Sequence, residues 1–189
     1  MTMVSTQFKP WRPDKPASKG ATAFHEAVVN ASWLQEAVYE LVRIVRSKIH
    51  KDEIVVDFGA GSGAYTFAFA ECLKGNGRIY AIDVQRDLLR RIVNESARRG
   101  YANVEVVWAD LEVPRASKLA DNSIDLILVS NLLFQVPDKA SILREARRIV
   151  KGTGHVAIID WIDSFGGMGP GKEDVVKKET ALKLTEKAG

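Results

Sequence analysis

The stretch that most constrains this chain runs from Ile54 to Gly63, Ile-Val-Val-Asp-Phe-Gly-Ala-Gly-Ser-Gly. Ile54 to Val56 is a short β-branched run, the pattern of a strand buried on both faces. It breaks into alternating glycines, and a helix-forming segment follows from Ala64 to Leu73. Glycine tolerates positive φ and lets a ligand lie against the backbone. The helix start behind it carries unpaired N–H groups. Strand, glycine loop and helix in this order predict a nucleotide-binding α/β fold, with the ligand at the carboxyl end of the strand. The spacing alone does not choose the ligand, because Gly59, Gly61 and Ala64 also satisfy the dinucleotide fingerprint G-x-G-x-x-G/A. Asp57 weighs against a dinucleotide. A carboxylate two residues before the first glycine repels a pyrophosphate and suits a cationic ligand.

The rest of the chain supplies the alternation that such a fold needs. Lys74-Gly75-Asn76-Gly77 marks a turn, and Arg78 to Ile82 is a second strand closed by Asp83. Asp83 lies 26 residues after Asp57, the distance that one strand–helix unit spans to return to the same sheet edge. A carboxylate there can accept both hydroxyls of a ribose, whether the nucleoside belongs to NAD or to another cofactor. A helix starting at Asp87 should end at Gly100, with Arg98 and Arg99 in its last turn. Strands follow at Val104–Trp108, Ile124–Ser130 and His155–Ile159, with a helix between the last two, capped by Asp138 and stopped by Gly152. The predicted class is a doubly wound, Rossmann-like parallel sheet in the order 3-2-1-4-5.

Two domain regions are expected. Residues 1–31, with Pro10, Pro13 and Pro16 among lysines and arginines, read as a partly disordered arm. Residues 32–189 read as the binding domain, opened by a helix that Ser32 and Gln35 cap. Gly166 to Gly171 reads as a mobile connection, and Lys172 to Ala188 as a charged helix.

The segment Val55–Gly63 closely resembles the first motif of class I S-adenosylmethionine-dependent methyltransferases of the small-molecule type. S-adenosylmethionine carries an ammonium and a sulfonium and no phosphate, in keeping with Asp57. The resemblance extends from about Ser32 to Gly189. It implies that Gly59, Ala60, Gly61 and Gly63 admit the cofactor, that Asp57 balances its charge directly or through water, and that Asp83 with Val84 takes the ribose end. It also implies that Asp110 receives the adenine amino group, that Leu111 covers the ring, and that Asn131 approaches the methionine portion. Asp160 and Trp161, at the same edge, are acceptor-pocket candidates. No general base is assigned; many family members have a histidine near Gln135, and this chain does not. The loop after the fourth strand also lacks the Asn-Pro-Pro-aromatic sequence of exocyclic-amine methyltransferases of nucleic acids. Two strands that normally follow the final helix are missing, so the domain reads as C-terminally incomplete. The fifth strand then offers an edge for self-association.

Composition narrows the partners. The chain has 189 residues, 46% hydrophobic, and a net charge of +3, too small to argue for nucleic acid by itself. The arginines at 86, 90, 91, 98 and 99 read as a solvated helix face, because no interleaved aromatics accompany them in sequence. Cys72 is the one cysteine, and His25, His50 and His155 have no metal-ligand spacing, so no metal site is expected. No apolar run approaches a membrane span, and the expected setting is cytoplasmic. The expected function is methyl transfer to a small-molecule acceptor. An NAD-dependent oxidoreductase on the same fold and a non-catalytic binding or scaffold module remain open.

Overall fold

The computed structural model describes residues 52–161, 163–164 and 170–189. The N-terminal arm, the helix expected after Ser32 and most of the Gly166–Gly171 loop lie outside the described residues. Five strands form one sheet: β1 (Ile54–Phe58), β2 (Arg78–Asp83), β3 (Val104–Trp108), β4 (Ile124–Ser130) and β5 (Val150–Ile159). They are parallel throughout, in the order β3-β2-β1-β4-β5. The helices are α1 (Ala64–Leu73), α2 (Arg86–Arg99), α3 (Lys139–Ile149) and α4 (Lys178–Ala188), with a short 3-10 turn at Leu133–Gln135.

The period of two along each strand sorts the core into two layers. Val55, Leu126, Leu128 and Ala157 face one way and meet Ala68, Phe69 and Leu73 of α1. Val56, Phe58, Ile127, Val129 and Val156 face the other way and meet Ile142, Ala146 and Ile149 of α3 and Ala181 of α4. Ala81 of β2 and Leu89 and Ile92 of α2 extend the first layer. Phe58, Phe69, Ile82 and Ile127 are wholly buried, each worth about 1.5–3 kcal/mol relative to exposure. Asp57 shares the parity of Val55, so its carboxyl is directed to the α1 side of the sheet.

Local signals set most helix ends. Gly100 takes a left-handed conformation with φ 74° and closes α2. Asp138 caps α3 by accepting the Ser141 N–H at 3.0 Å. Three boundaries differ from the sequence reading. Helix α2 begins at Arg86, behind Gln85, one residue before the expected start, so Asp87 sits inside its first turn as a dipole partner. Helix α3 passes directly into β5 at Val150, because Val150 pairs with Ile124 at the foot of β4; Gly152 lies inside the strand. The register then slips between Ile124 and Leu126, where His155 becomes the next partner. Helix α4 starts at Lys178, six residues later than expected, with no side-chain cap.

Candidate active site

The strand order reverses on either side of β1, which pairs with β2 and with β4. The carboxyl ends of these strands mark the topological switch point, where open α/β sheets bind ligands. The glycine loop lies across it. Gly59 N and Ala60 N both donate to the Ile82 carbonyl at 2.9 Å, and Gly61 N donates to Asp83 Oδ2 at 2.9 Å. The loop is thus stitched to the end of β2.

Two of its glycines are required by geometry. Gly63 has φ +86°, and a Cβ there would lie 2.9 Å from both Ile92 Cγ1 and Phe67 Cε2. Gly59 has φ +71°, and a Cβ there would press on Leu132 at 3.0 Å, in the loop after β4.

Asp83 is 8% exposed. Its second oxygen accepts the Gln85 N–H at 2.8 Å, so one carboxylate holds both the glycine loop and the start of α2. Each carboxylate oxygen has two acceptor sites, and capacity remains for ribose hydroxyls. Val84, beside it, is an exposed apolar side chain at 55%. Asp110 is exposed and accepts the Glu112 N–H in the turn after β3. Leu111 differs from its expected setting: it is 5% exposed and packs in the α3 layer of the core with Phe58 and Ile82. Among Val84 and Leu111, it is Val84 that offers free apolar surface to a ring.

Asp57 is 1% exposed. Its Oδ2 accepts the Thr66 hydroxyl at 2.6 Å, and the Thr66 backbone N–H also contributes. Thr66 lies in the first turn of α1, whose N-cap, Gly63, has no side chain to offer. Asp57 therefore caps that helix from the neighbouring strand. Burial pushes its carboxyl up to about 6, against the lowering effect of Thr66, and the nearby Asp83 charge pushes the same way. The carboxyl lies under the glycine loop and is not open to solvent, so any effect on a ligand's charge acts across the loop.

The loop after β4 is held firmly. Asn131 has φ 50° and donates its N–H to the Ile159 carbonyl at 2.8 Å. Its side-chain amide donates to Ser130 Oγ at 3.3 Å, and its carbonyl accepts from the Gln135 side chain. Gln135, where the family often has a histidine, braces this turn. Asp160 accepts the Leu133 N–H at 3.0 Å and the Trp161 N–H at 2.8 Å. Burial raises its pKa from the ordinary carboxylate value. Asp160 thereby ties the end of β5 to the turn after β4. Tyr65 of α1, its phenol raised by burial, bonds Ser130 from the other side.

Sequence reasoning missed three residues. Thr66 is one; the available signal was a lone hydroxyl three residues after the last glycine of the loop. The others are Trp108 and Arg86. The Trp108 indole N–H donates to the Val84 carbonyl at 2.9 Å, and the Arg86 guanidinium lies 3.7 Å from the ring centroid. Trp108 is 56% exposed. The remaining arginines of α2 are largely paired on their own helix, Arg90 with Asp87 and both Arg98 and Arg99 with Glu95. An open groove of about 550 Å³ between α1 and α2, lined by Ser62, Phe67, Arg91, Asn94 and others, contains none of these carboxylates except Glu95.

A doubly wound sheet with a glycine loop bracketed by Asp57 and Asp83 defines a Rossmann-like nucleoside-binding protein. The chain belongs to the methyltransferase domain family, whose model matches residues 49–186, and within it to the class I S-adenosylmethionine-dependent methyltransferases. It is 31% identical over 110 residues to an arsenite methyltransferase of Aquipseudomonas alcaligenes, covering 56% of this chain and 32% of that protein. It is 27% identical over 116 residues to a demethylmenaquinone methyltransferase of a Geobacillus strain, covering 61% and 48%. The matches thus span a third to a half of these curated relatives. Among solved structures, a SAM-dependent methyltransferase from Aquifex aeolicus superposes with a TM-score of 0.72 at 25% identity, covering 90% of this chain and 89% of that one. The cofactor of the family is S-adenosylmethionine. No helix among the described residues is long and apolar enough to cross a membrane.

Proposed function

We propose that this chain transfers the methyl group of S-adenosylmethionine to a small organic acceptor at the carboxyl edge of its sheet. The observation that carries this reading is the glycine loop held to the end of β2 by Asp83, with a second carboxyl, Asp57, closing the start of α1 behind it. Asp83 offers acceptors for a ribose, and two acidic residues at this edge favour a cationic nucleoside over a diphosphate. When bound, S-adenosylmethionine supplies an electrophilic methyl group, and an acceptor lone pair displaces it from sulfur, leaving the thioether product.

The residues divide the remaining work. Gly59, Ala60, Gly61 and Gly63 let the cofactor lie close to the backbone. Asp83 accepts ribose hydroxyls while keeping its two backbone amides. Val84 covers one side of the adenine, and Asp110, exposed at the next strand end, receives the ring's amino group. Asn131 borders the methionine portion. Asp160, held by backbone amides, fixes the acceptor side. Such positioning supplies up to ~7–11 kcal/mol in well-oriented systems.

Arsenite is the less favoured acceptor. Arsenic methyl transfer relies on several thiolates, and this sequence has only Cys72, partly buried in α1 against the core. A quinone-like ring or another small organic nucleophile fits better. We test the reading by thermal shift with S-adenosylhomocysteine and NADH. A ligand at a hundred times its Kd stabilises by about 2.7 kcal/mol. S-adenosylhomocysteine should raise Tm and NADH should not. Label from methyl-labelled S-adenosylmethionine should then appear in a small-molecule fraction of cell extract.

A further inference from the structure

We propose that the groove between α1 and α2 is a second ligand site, which takes a small phosphate monoester beside the glycine loop and tightens the cofactor's hold on that loop. The binding stands on the groove's own chemistry. Only its effect on the cofactor rests on the reading above.

The groove has a volume of about 550 Å³, within the roughly 300–1,000 Å³ that small-molecule sites span. Three arginines line it against one carboxylate, an excess of two positive charges. Arg98 and Arg99 both engage that carboxylate, Glu95, at 2.5 Å. Arg91 is left over. Among the described residues every other arginine rests on a carboxylate, a backbone carbonyl or an aromatic ring, and Arg91 has no such partner. Ser62 and Asn94 also line the groove with side chains that no described residue engages. These donors come from two walls, Ser62 from the glycine loop and Arg91 with Asn94 from α2. A tetrahedral phosphate presents oxygens in several directions and can meet both walls, whereas the acceptors of a carboxylate lie in one plane. A phosphate monoester is close to a dianion at neutral pH, which matches the charge excess. Its organic body finds apolar surface on Ala64 and Phe67. The lining contains neither Asp57 nor Asp83, so the groove is separate from the cofactor's edge. Ser62 joins the two. Gly61 before it donates to Asp83 at 2.9 Å, and Gly63 after it packs so closely on α2 that a Cβ would meet Ile92 at 2.9 Å. A ligand bridging Ser62 and Arg91 therefore holds the loop in the form on which the cofactor lies. Such coupling is reciprocal between the two ligands.

The experiment is titration calorimetry and thermal shift of the full chain with phenyl phosphate and with inorganic phosphate near pH 8, above the second phosphate pKa of about 6. Phenyl phosphate should bind once per chain and raise Tm where sodium chloride of equal ionic strength does not. Inorganic phosphate, lacking the apolar body, should bind more weakly. Arg91→Gln should weaken phenyl phosphate by about tenfold or more without lowering the Tm of the ligand-free chain. Arg90→Gln should change nothing, since Arg90 pairs with Asp87 and does not line the groove. Saturating phenyl phosphate should tighten S-adenosylhomocysteine by about fivefold or more, and should fail to do so in Arg91→Gln. No saturable binding, equal binding by Arg91→Gln, or displacement of phenyl phosphate by S-adenosylhomocysteine overturns the site. Equal affinity for inorganic phosphate overturns the ester and leaves free phosphate as the ligand. Binding that leaves the S-adenosylhomocysteine affinity unchanged overturns the coupling and keeps the site. A chain that binds phenyl phosphate but neither S-adenosylmethionine nor S-adenosylhomocysteine overturns the proposed function and keeps the site.

Discussion

Replacing Asp83 by alanine separates two roles that one carboxylate combines. In the folded chain it accepts Gly61 N–H at 2.9 Å and Gln85 N–H at 2.8 Å, at 8% exposure. Removing it strands two amides in a site that water reaches poorly. Each stranded donor costs about 1–3 kcal/mol, and partial access of water to the loop puts the sum near 2–4 kcal/mol. In a domain of this size a kilocalorie moves Tm by roughly 2–4 °C, so Tm should fall by about 5–15 °C. Loss of the ribose acceptor should weaken S-adenosylmethionine separately, by about 1.5–3 kcal/mol for hydrogen bonds to a charged group. That is roughly 10- to 150-fold in Kd. Asp83→Asn keeps one acceptor oxygen and should lose about half of each. The assay is a melt for the first quantity, and calorimetry well below both melting points for the second. A lower Tm with unchanged affinity would refute the ribose role and leave Asp83 as a pin for the loop. Unchanged Tm would refute the energetics assigned to the two amides.

Gly63→Ala combines a left-handed backbone with contacts at 2.9 Å to Ile92 and Phe67, and urea titration should show a loss of about 1–3 kcal/mol. The Asp57 carboxyl has a folded pKa of about 6 against an ordinary value of 3.8. The folded state therefore binds the extra proton, and the contribution of this group to stability is full below pH 4 and lost as pH rises through about 6. Asp57→Asn should accordingly stabilise the cofactor-free protein at pH 7 by up to about 2–3 kcal/mol and leave it nearly unchanged at pH 4; equal effects at both values would contradict the burial argument. Leu111→Ala should cost about 2–4 kcal/mol in denaturant unfolding, as befits a core side chain, whereas Val84→Ala should barely move stability and should weaken the cofactor. Cofactor seated against Val84 should change the emission of Trp108, whose indole bonds the Val84 carbonyl; the change should vanish in Trp108→Phe.

The sheet was legible because its strands are apolar runs bounded by glycine and aspartate, and buried parallel strands have that form. The order 3-2-1-4-5 follows from the glycine loop after β1 and from crossovers long enough for helices. The α3–β5 junction was not legible. Gly152 has the signature of a helix stop, but the ladder bond at Val150 captures the backbone two residues earlier. The start of α4 was equally hidden, since the helix begins behind Lys177, which offers no side-chain cap, while Asp174, a residue of the capping type, stands in the turn before it. At the site, the carboxylates could be placed on the correct edge from their spacing alone. Their partners could not. Asp57 meets Thr66 nine residues on, and Asp160 meets a backbone amide 27 residues back, which no side-chain pattern encodes. Trp108 and Arg86 stand 22 residues apart on different elements. Only the fold supplies the aromatic neighbour that the arginine cluster lacked in sequence.

The clamp that Asp160 makes on the turn after β4 couples the motion of two segments that lie far apart in sequence. With the turn after β4 and the end of β5 anchored to one carboxylate, neither can swing outward while the other stays behind, and an acceptor seated there, as proposed, meets a wall that moves as one piece.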